Sequence, residues 1–285
     1  MDFYIVIPCH NEAAFIRQTL DSLVTQTVLP KKIVVVNDQS TDDSEQIISA
    51  FAKAHSFIEL LNTTSSDIHL PGSKVIQAVQ KGINTLDNNY DILCKFDADL
   101  IFPINYLETI AQEFEKNPKI GMAGGFCYVE KGGDWVLENL TNKDHIRGAL
   151  KAYRKECFKQ IGGLKPAMGW DTIDELLAKF YHWQVITNED LQVKHLKPTG
   201  NTYNKAAQFK QGEAFYGMRY KFWLTLIASI KLAKRKGNTI VTIDYMRGYF
   251  RAKRAHKEYL VTIQEGTFIR KLRWKGIRSK LGLNS

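Results

Sequence analysis

Ile92-Leu93-Cys94-Lys95-Phe96-Asp97-Ala98-Asp99-Leu100-Ile101 puts two carboxylates at the end of an apolar run. Read as a buried strand with an acidic tip, the segment alternates its side chains, so Asp97 and Asp99 share one face while Phe96 and Ala98 take the other. Two like charges that close resist ionising unless a cation or hydrogen bonds compensate them. A hard divalent cation does so through oxygen ligands, and Mg²⁺ sites combine one or two carboxylates with water and substrate phosphates. The D-x-D is therefore read as a candidate metal and phosphate site. A solvated turn holding two acids is the plain alternative, and the context decides between them.

Toward the N-terminus, Phe3 to Pro8 is a near-continuous apolar run, as in a parallel strand covered on both faces. It ends at Cys9-His10-Asn11-Glu12, and Phe15, Ile16, Leu20, Leu23 and Val24 then recur at helical spacing. A second strand, Lys32 to Val36, runs into Asn37-Asp38-Gln39-Ser40-Thr41-Asp42-Asp43, where Ser40 or Thr41 is the predicted N-cap of a helix carrying Ile47, Ile48 and Phe51. Phe57 to Leu61 reads as a third strand and Asn62 to Leu70 as a polar loop. Pro71-Gly72-Ser73 opens a helix from Lys74 to about Asn84, and Tyr90 to Phe96 is the fourth strand. Alternating strands and helices predict an α/β fold with a Rossmann-like, mostly parallel sheet, whose ligands sit beyond the carboxyl ends of the strands. The clusters Cys9 to Glu12, Asn37 to Ser40 and Asp97 to Asp99 all occupy such ends and would line one crevice.

Toward the C-terminus, a helix over 105–116 precedes a strand from Ile120 to Val129 that is interrupted at Gly124-Gly125. Glu130 to Asp144 reads as loop. Gly169-Trp170-Asp171 introduces a helix with Asp171 at its N-cap and Asp174 three residues on, where a capping box places its acid. Two short strands, Gln184 to Thr187 and Leu191 to Leu196, bring in His195, and Pro198-Thr199-Gly200 closes a first domain, residues 1–200. Residues 201–285 are expected to be a helical extension, with helices over 206–236 and 241–259 and then a basic tail.

The 285 residues carry a net charge of +9, 44% hydrophobic and 24% charged residues, a globular balance that indicates neither disorder nor a membrane-spanning protein. The charge is unevenly placed. Residues 200–285 hold 19 Lys/Arg against 4 Asp/Glu, so the remainder is net acidic. A basic appendage implies an anionic partner or simply a solvated charged face. Phe222, Trp223, Leu226, Ile227 and Ile230, followed by Lys231, Lys234, Arg235 and Lys236, read either as a stripe for peripheral membrane association or as an ordinary core helix with basic ends. Cys9, Cys94, Cys127 and Cys157 are scattered without C-x-x-C spacing, which suits a reducing compartment, and no signal peptide is expected.

Taken together, Ile7-Pro8-Cys9-His10-Asn11-Glu12, Val35 to Asp42, Gly72 to Gly82, Phe96-Asp97-Ala98-Asp99, and Gly162-Gly163 with the acidic helix start at Asp171 resemble the inverting glycosyltransferases of family 2, which have the GT-A fold. The resemblance implies a metal-dependent enzyme that moves a sugar from a nucleotide-sugar donor (UDP-, dTDP- or GDP-linked) to a glycan or lipid-linked glycan, as in polysaccharide biosynthesis. It implies Pro8, Asn11, Glu12, Asp38 and Lys74 around the nucleotide, with Asp97 toward the diphosphate. It further implies Asp97, Asp99 and His195 around Mn²⁺ or Mg²⁺, and Asp171, with Asp174 second, as catalytic base. The expected place is the cytoplasm, at the inner face of the membrane if the basic region binds lipid, and no nucleic-acid partner is expected. The chain departs from the family pattern at Gln39, where Gly is usual, at Gln80, where Asn is common, and in lacking the usual Glu-Asp pair before the acceptor helix. Two rivals are a haloacid-dehalogenase-like phosphatase, whose D-x-D motif normally lies on the first strand, and a non-catalytic basic protein that binds lipid or nucleic acid.

Overall fold

The computed structural model describes residues 1–64, 73–138, 143–197 and 208–282. Among these, nine strands form one sheet: β1 (Phe3–Cys9), β2 (Lys32–Asp38), β3 (Ile58–Thr63), β4 (Ile92–Phe96), β5 (Leu100–Ile101), β6 (Ile120–Lys131), β7 (Asp134–Leu137), β8 (Leu150–Arg154) and β9 (Gln184–His195). Their order is β3-β2-β1-β4-β8-β6-β9-β5, with β7 paired to β6. The first half is the parallel β-α sheet that the alternation predicts: β1 pairs in parallel with β2 and β4, and β2 with β3. Helices α1 (Ile16–Val24), α2 (Ser44–Ala54) and α3 (Ser73–Ile83) make the crossovers. Core side chains from both faces of these strands, Ile5, Val6, Ile7 and Val35 among them, are fully buried, which is why the strands read as unbroken apolar runs.

The second half is mixed. β8 enters antiparallel between β4 and β6, and β5 runs antiparallel to β9. The helices here are α4 (Tyr106–Lys116), α5 (Lys155–Gln160) and α6 (Trp170–Phe180). The stretch expected to be loop contains a hairpin, in which β7 folds back on β6 through Gly132 and Gly133 at φ 62° and 90°. The two short strands expected after 184 are one strand. Gly124 pairs with Thr187 and Phe126 with Gln192, so β9 bulges out opposite Gly125, where a Cβ would collide with Leu191.

Helices α7 (Lys210–Gly217), α8 (Lys221–Lys236), α9 (Ile240–Arg254) and α10 (Ile263–Lys280) follow. The helix expected over 206–236 breaks at Met218 to Tyr220, with Arg219 left-handed at φ 56°. The expected basic tail is a helix that begins with a capping box between Thr262 and Glu265. α10 packs on α6, with Phe180 and Phe268 ring centroids 5.5 Å apart and the Tyr181 hydroxyl donating to Glu265 at 3.1 Å. The division expected at residue 200 lies outside the described residues, as do residues 65–70 of the expected polar loop, Pro71-Gly72 of the expected helix opening, and the expected close at Pro198-Thr199-Gly200. Among the described residues no helix is long and apolar enough to cross a membrane, and the four cysteines are free and buried.

Candidate active site

Because β2, β1 and β4 are parallel neighbours, the three polar clusters at their carboxyl ends lie side by side. The loops after β1 and β2 are stitched together by backbone-to-side-chain bonds. Asn11 N–H donates to Ser40 at 3.0 Å, Glu12 N–H to Ser44 at 2.9 Å, and Ala13 N–H to Asp42 at 3.0 Å, while Asn11 Oδ1 accepts from Thr41 N–H at 2.7 Å. Asn11 and Gln39 sit at φ 54° and 55°, the left-handed region, which Asn tolerates and where Gly would be free of strain. Neither Ser40 nor Thr41 caps α2. Its N-cap is Asp43, and Asp42 Oδ1 accepts from Ser44 N–H at 3.0 Å. Pro8 is half-buried beside Val36. Asp38 is buried, its carbonyl 2.6 Å from His10 Nδ1 and its carboxylate 3.9 Å from Lys74 Nζ on α3.

The D-x-D segment leaves the strand at Phe96 and turns, so its carboxylates do not share an extended face as expected. Thr19 on α1 pins the turn, donating to the Ala98 carbonyl at 2.8 Å and accepting from Leu100 N–H at 3.0 Å. Asp97 is half-exposed and paired with the buried ammonium of Lys95, which also donates to the Gly148 carbonyl at 3.0 Å. Asp99 turns inward. Pairing of β5 with β9 sets Leu100 opposite His195, and His195 Nε2 lies 3.4 Å from Asp99 Oδ2.

Glu138 lies 2.9 Å from the other imidazole nitrogen, Nδ1, and accepts from Arg147 at 3.2 Å. A carboxylate on Nδ1 orients Nε2 outward, the arrangement that presents a histidine to a metal. Burial alone would lower the His195 pKa, but its bonds to Asp99 and Glu138 push it up to about 9. Among the described residues Asp99 Oδ1 and Glu12 Oε2 are buried with no hydrogen-bond partner. Burial holds the Glu12 carboxyl above its usual range, against the pull of Lys197 at 2.8 Å, and Asp99 and Asp97 push the same way. Unsatisfied buried oxygens beside an oriented imidazole suit a divalent cation such as Mn²⁺. Cys127 closes a group with Glu138 and His195 whose donor atoms lie within 4.8 Å of one another, but burial keeps it a neutral thiol, a poor ligand for such an ion.

Asp171 and Asp174 stand in a second, connected cluster. The N-cap of α6 is Gly169 at φ 74°, so Asp171 lies one residue inside the helix rather than at its cap. Beneath it Lys151 is fully buried, donating to Asp174 Oδ1 and Oδ2 at 2.9 and 3.0 Å, to Glu175 Oε1 at 3.2 Å and to the Asp171 carbonyl at 2.5 Å. The Tyr153 hydroxyl donates to Asp174 Oδ2 at 2.6 Å. Asp174 is thus fixed from two sides, and burial and the Glu175 charge push its pKa up to about 6 against the pull of Lys151. His145 bridges Glu175 at 3.0 Å and Asp171 at 3.5 Å. Burial opposes its protonation, but those two carboxylates outweigh it and raise its pKa to about 9. Asp171 is about a third exposed (31%), and His145 and Lys151 lower its pKa despite desolvation. The two clusters meet at Trp170, whose ring centroid lies 5.3 Å from Lys95 Nζ and 5.8 Å from Lys151 Nζ.

Sequence reasoning missed Glu138, His145, Lys151 and Lys197. Each draws its meaning from a partner far along the chain, and no local pattern marks it.

Residues 4–164 match the profile of Glycosyl transferase family 2. The chain is 35% identical over 200 residues to the "Probable glycosyltransferase YdaM" of Bacillus subtilis (strain 168), covering 61% of this chain and 44% of that protein. It is 29% identical over 120 residues to the poly-beta-1,6-N-acetyl-D-glucosamine synthase of Staphylococcus epidermidis, covering 42% of this chain and 27% of that one. It therefore spans less than half the length of these two relatives. Among solved structures, the mannosyltransferase PcManGT from Pyrobaculum calidifontis, in complex with GDP-Man and Mn²⁺, superposes with a TM-score of 0.58 at 16% identity, covering 99% of this chain and 83% of that one. The fold is GT-A, the D-x-D follows β4 rather than the first strand that a phosphatase of the dehalogenase type would use, and the chain belongs to glycosyltransferase family 2.

Proposed function

We propose that the protein transfers a sugar, with inversion, from a nucleotide-sugar donor to a glycan or lipid-linked glycan acceptor on the cytoplasmic side, assisted by Mn²⁺ or Mg²⁺. The observation that carries this reading is the buried, unpartnered Asp99 Oδ1 beside the oriented His195, next to the stitched loops after β1 and β2. Asp99 and His195 would hold the cation, with Asp97 directly or through water. When bound, the cation offsets negative charge growing on the leaving diphosphate. Asp38, an acceptor only, takes N–H donors of the base, Pro8 to Glu12 wall the nucleoside, and Lys74 reaches the base or the diphosphate. We assign donor binding and chemistry to residues 1–200 and the acceptor side to residues 201–285.

Single displacement needs one base to take the proton of the attacking hydroxyl. Asp171 fits best, because it is partly exposed, ionised, and tied by Trp170 to the D-x-D turn. His145, 3.5 Å away, positions it, and Asp174, whose oxygens are both engaged by Lys151 and Tyr153, is the second candidate. A panel of nucleotide sugars assayed with Mn²⁺ and with chelator tests the reading: one donor should show metal-dependent hydrolysis and transfer. Asp171→Asn should lose at least about 10²-fold in transfer while donor binding and folding persist. Full transfer by that variant would move the base elsewhere, and turnover unaffected by chelation would remove the cation from the reading.

A further inference from the structure

The C-terminal helices carry an apolar face that the fold leaves uncovered. On α8, Leu224, Thr225, Ser229 and Ala233 are buried, while Phe222, Trp223, Ile227 and Ile230 point outward, Trp223 being 65% and Ile230 52% exposed. The helix is therefore neither a plain core helix nor a solvated one, since it has a packed side and an apolar outer side. On α9, Ile240, Ile243 and Phe250 are exposed at helical spacing, with Arg247 between them. The two rows join where the Phe222 and Phe250 ring centroids lie 6.2 Å apart.

Charge around this face is of one sign. Residues 221–254 contain nine Lys/Arg and a single acid, Asp244, which is buried and accepts from Gln208. Lys231 lies near enough to Lys280, Arg235 and Arg273 that, after burial, these cations depress its pKa. Exposed isoleucines and a tryptophan bordered by this excess of cations match the acyl boundary and headgroups of an anionic bilayer. A second copy of the chain would bring like charge against like charge, and a nucleic acid offers nothing to the isoleucines.

We propose that the outer face of α8 and α9 is a monotopic docking surface for an anionic lipid bilayer, with Trp223, Ile227, Ile230 and Ile243 entering the interface and Lys231, Lys234 and Arg247 at the headgroups. The surface bears on a lipid-linked acceptor but stands without it, so its test reads binding and not turnover. The full chain is sedimented with phosphatidylglycerol–phosphatidylcholine vesicles and with pure phosphatidylcholine vesicles, at low and high salt. Binding should require the anionic lipid and fall with salt, as screening over a Debye length of about 10 Å at 0.1 M demands. Ile227→Ser with Ile230→Ser, and separately Lys231→Gln with Lys234→Gln, should each weaken vesicle binding on the order of ten-fold, while circular dichroism stays native. Absence of binding to anionic vesicles, binding by both double variants as strong as that of the parent, or a salt-resistant dimer dissociated by the isoleucine changes would overturn the proposal.

Discussion

Replacing Lys151 by Met leaves the volume nearly unchanged and removes the only cation that touches Asp174 and Glu175 together among the described residues. Lys151 is fully buried, and the side chains of Asp174 and Glu175 are 2% and 7% exposed, so water does not take over the three carboxylate contacts at 2.9 to 3.2 Å. Breaking a buried pair by deleting one partner costs about 3–5 kcal/mol, a large part of the 5–15 kcal/mol that holds a domain together. In a chain of this size that lowers Tm on the order of 10 °C. The sign of the pH dependence follows from Asp174. Its folded pKa is already about 6, above the ordinary 3.8, and loss of the ammonium raises it further. An acid held above its unfolded pKa contributes stability that is present at low pH and lost as pH rises through the folded value. The deficit of Lys151→Met relative to the parent should therefore be full at pH ~7.5 and shrink toward pH ~5 as the carboxyl protonates. Urea unfolding followed by circular dichroism at both pH values measures it. A deficit under about 1 kcal/mol, or one equal at both pH values, would refute the reasoning that Lys151 compensates the pair.

His145→Gln should cost stability on the order of 3 kcal/mol below pH 6.5, because the imidazolium is held to about 9 in the folded chain, and the loss should fade as pH rises through 9. Thermal melts across that range check it, and a pH-independent deficit would mean that His145 packs but does not pair with Asp171 and Glu175. Asp38→Ala should weaken nucleotide binding by roughly 1–3 kcal/mol, the cost of leaving a buried donor of the base unpaired, as read by calorimetry with UDP and GDP. Unchanged affinity would place the base elsewhere.

The parallel half of the fold was legible because β1, β2 and β4 are buried on both faces and each ends in a polar cluster. Strand ends are also where such a sheet binds ligands, so Asp38, Asp97 and Asp99 stood out together. The antiparallel half was hidden for physical reasons. β8 slips between β4 and β6 through long-range pairing, and the bulge at Asn188 to Leu191 disguises one strand as two. Gly132-Gly133 between two strand-like runs is a turn signal for the hairpin, but the polar residues that flank it read as loop. Asp171 has the side chain of a cap, but Gly169, free to take positive φ, occupies the N-cap two residues earlier. Lys151 and His145 could not be found in sequence, because their partners lie more than twenty residues on and only the folding of β8 against α6 makes a buried ammonium and a bridging imidazole useful.

Mn²⁺-dependent nucleotide binding in Asp99→Asn, measured by calorimetry with and without the ion, tests the site directly. The substitution keeps shape and removes one charged oxygen from the buried pair with His195. The parent should bind UDP or GDP more tightly with Mn²⁺ than with chelator, and the variant should lose most of that difference while keeping its metal-free affinity and its fold. A variant that binds as the parent does in the presence of Mn²⁺ would contradict a cation held by Asp99.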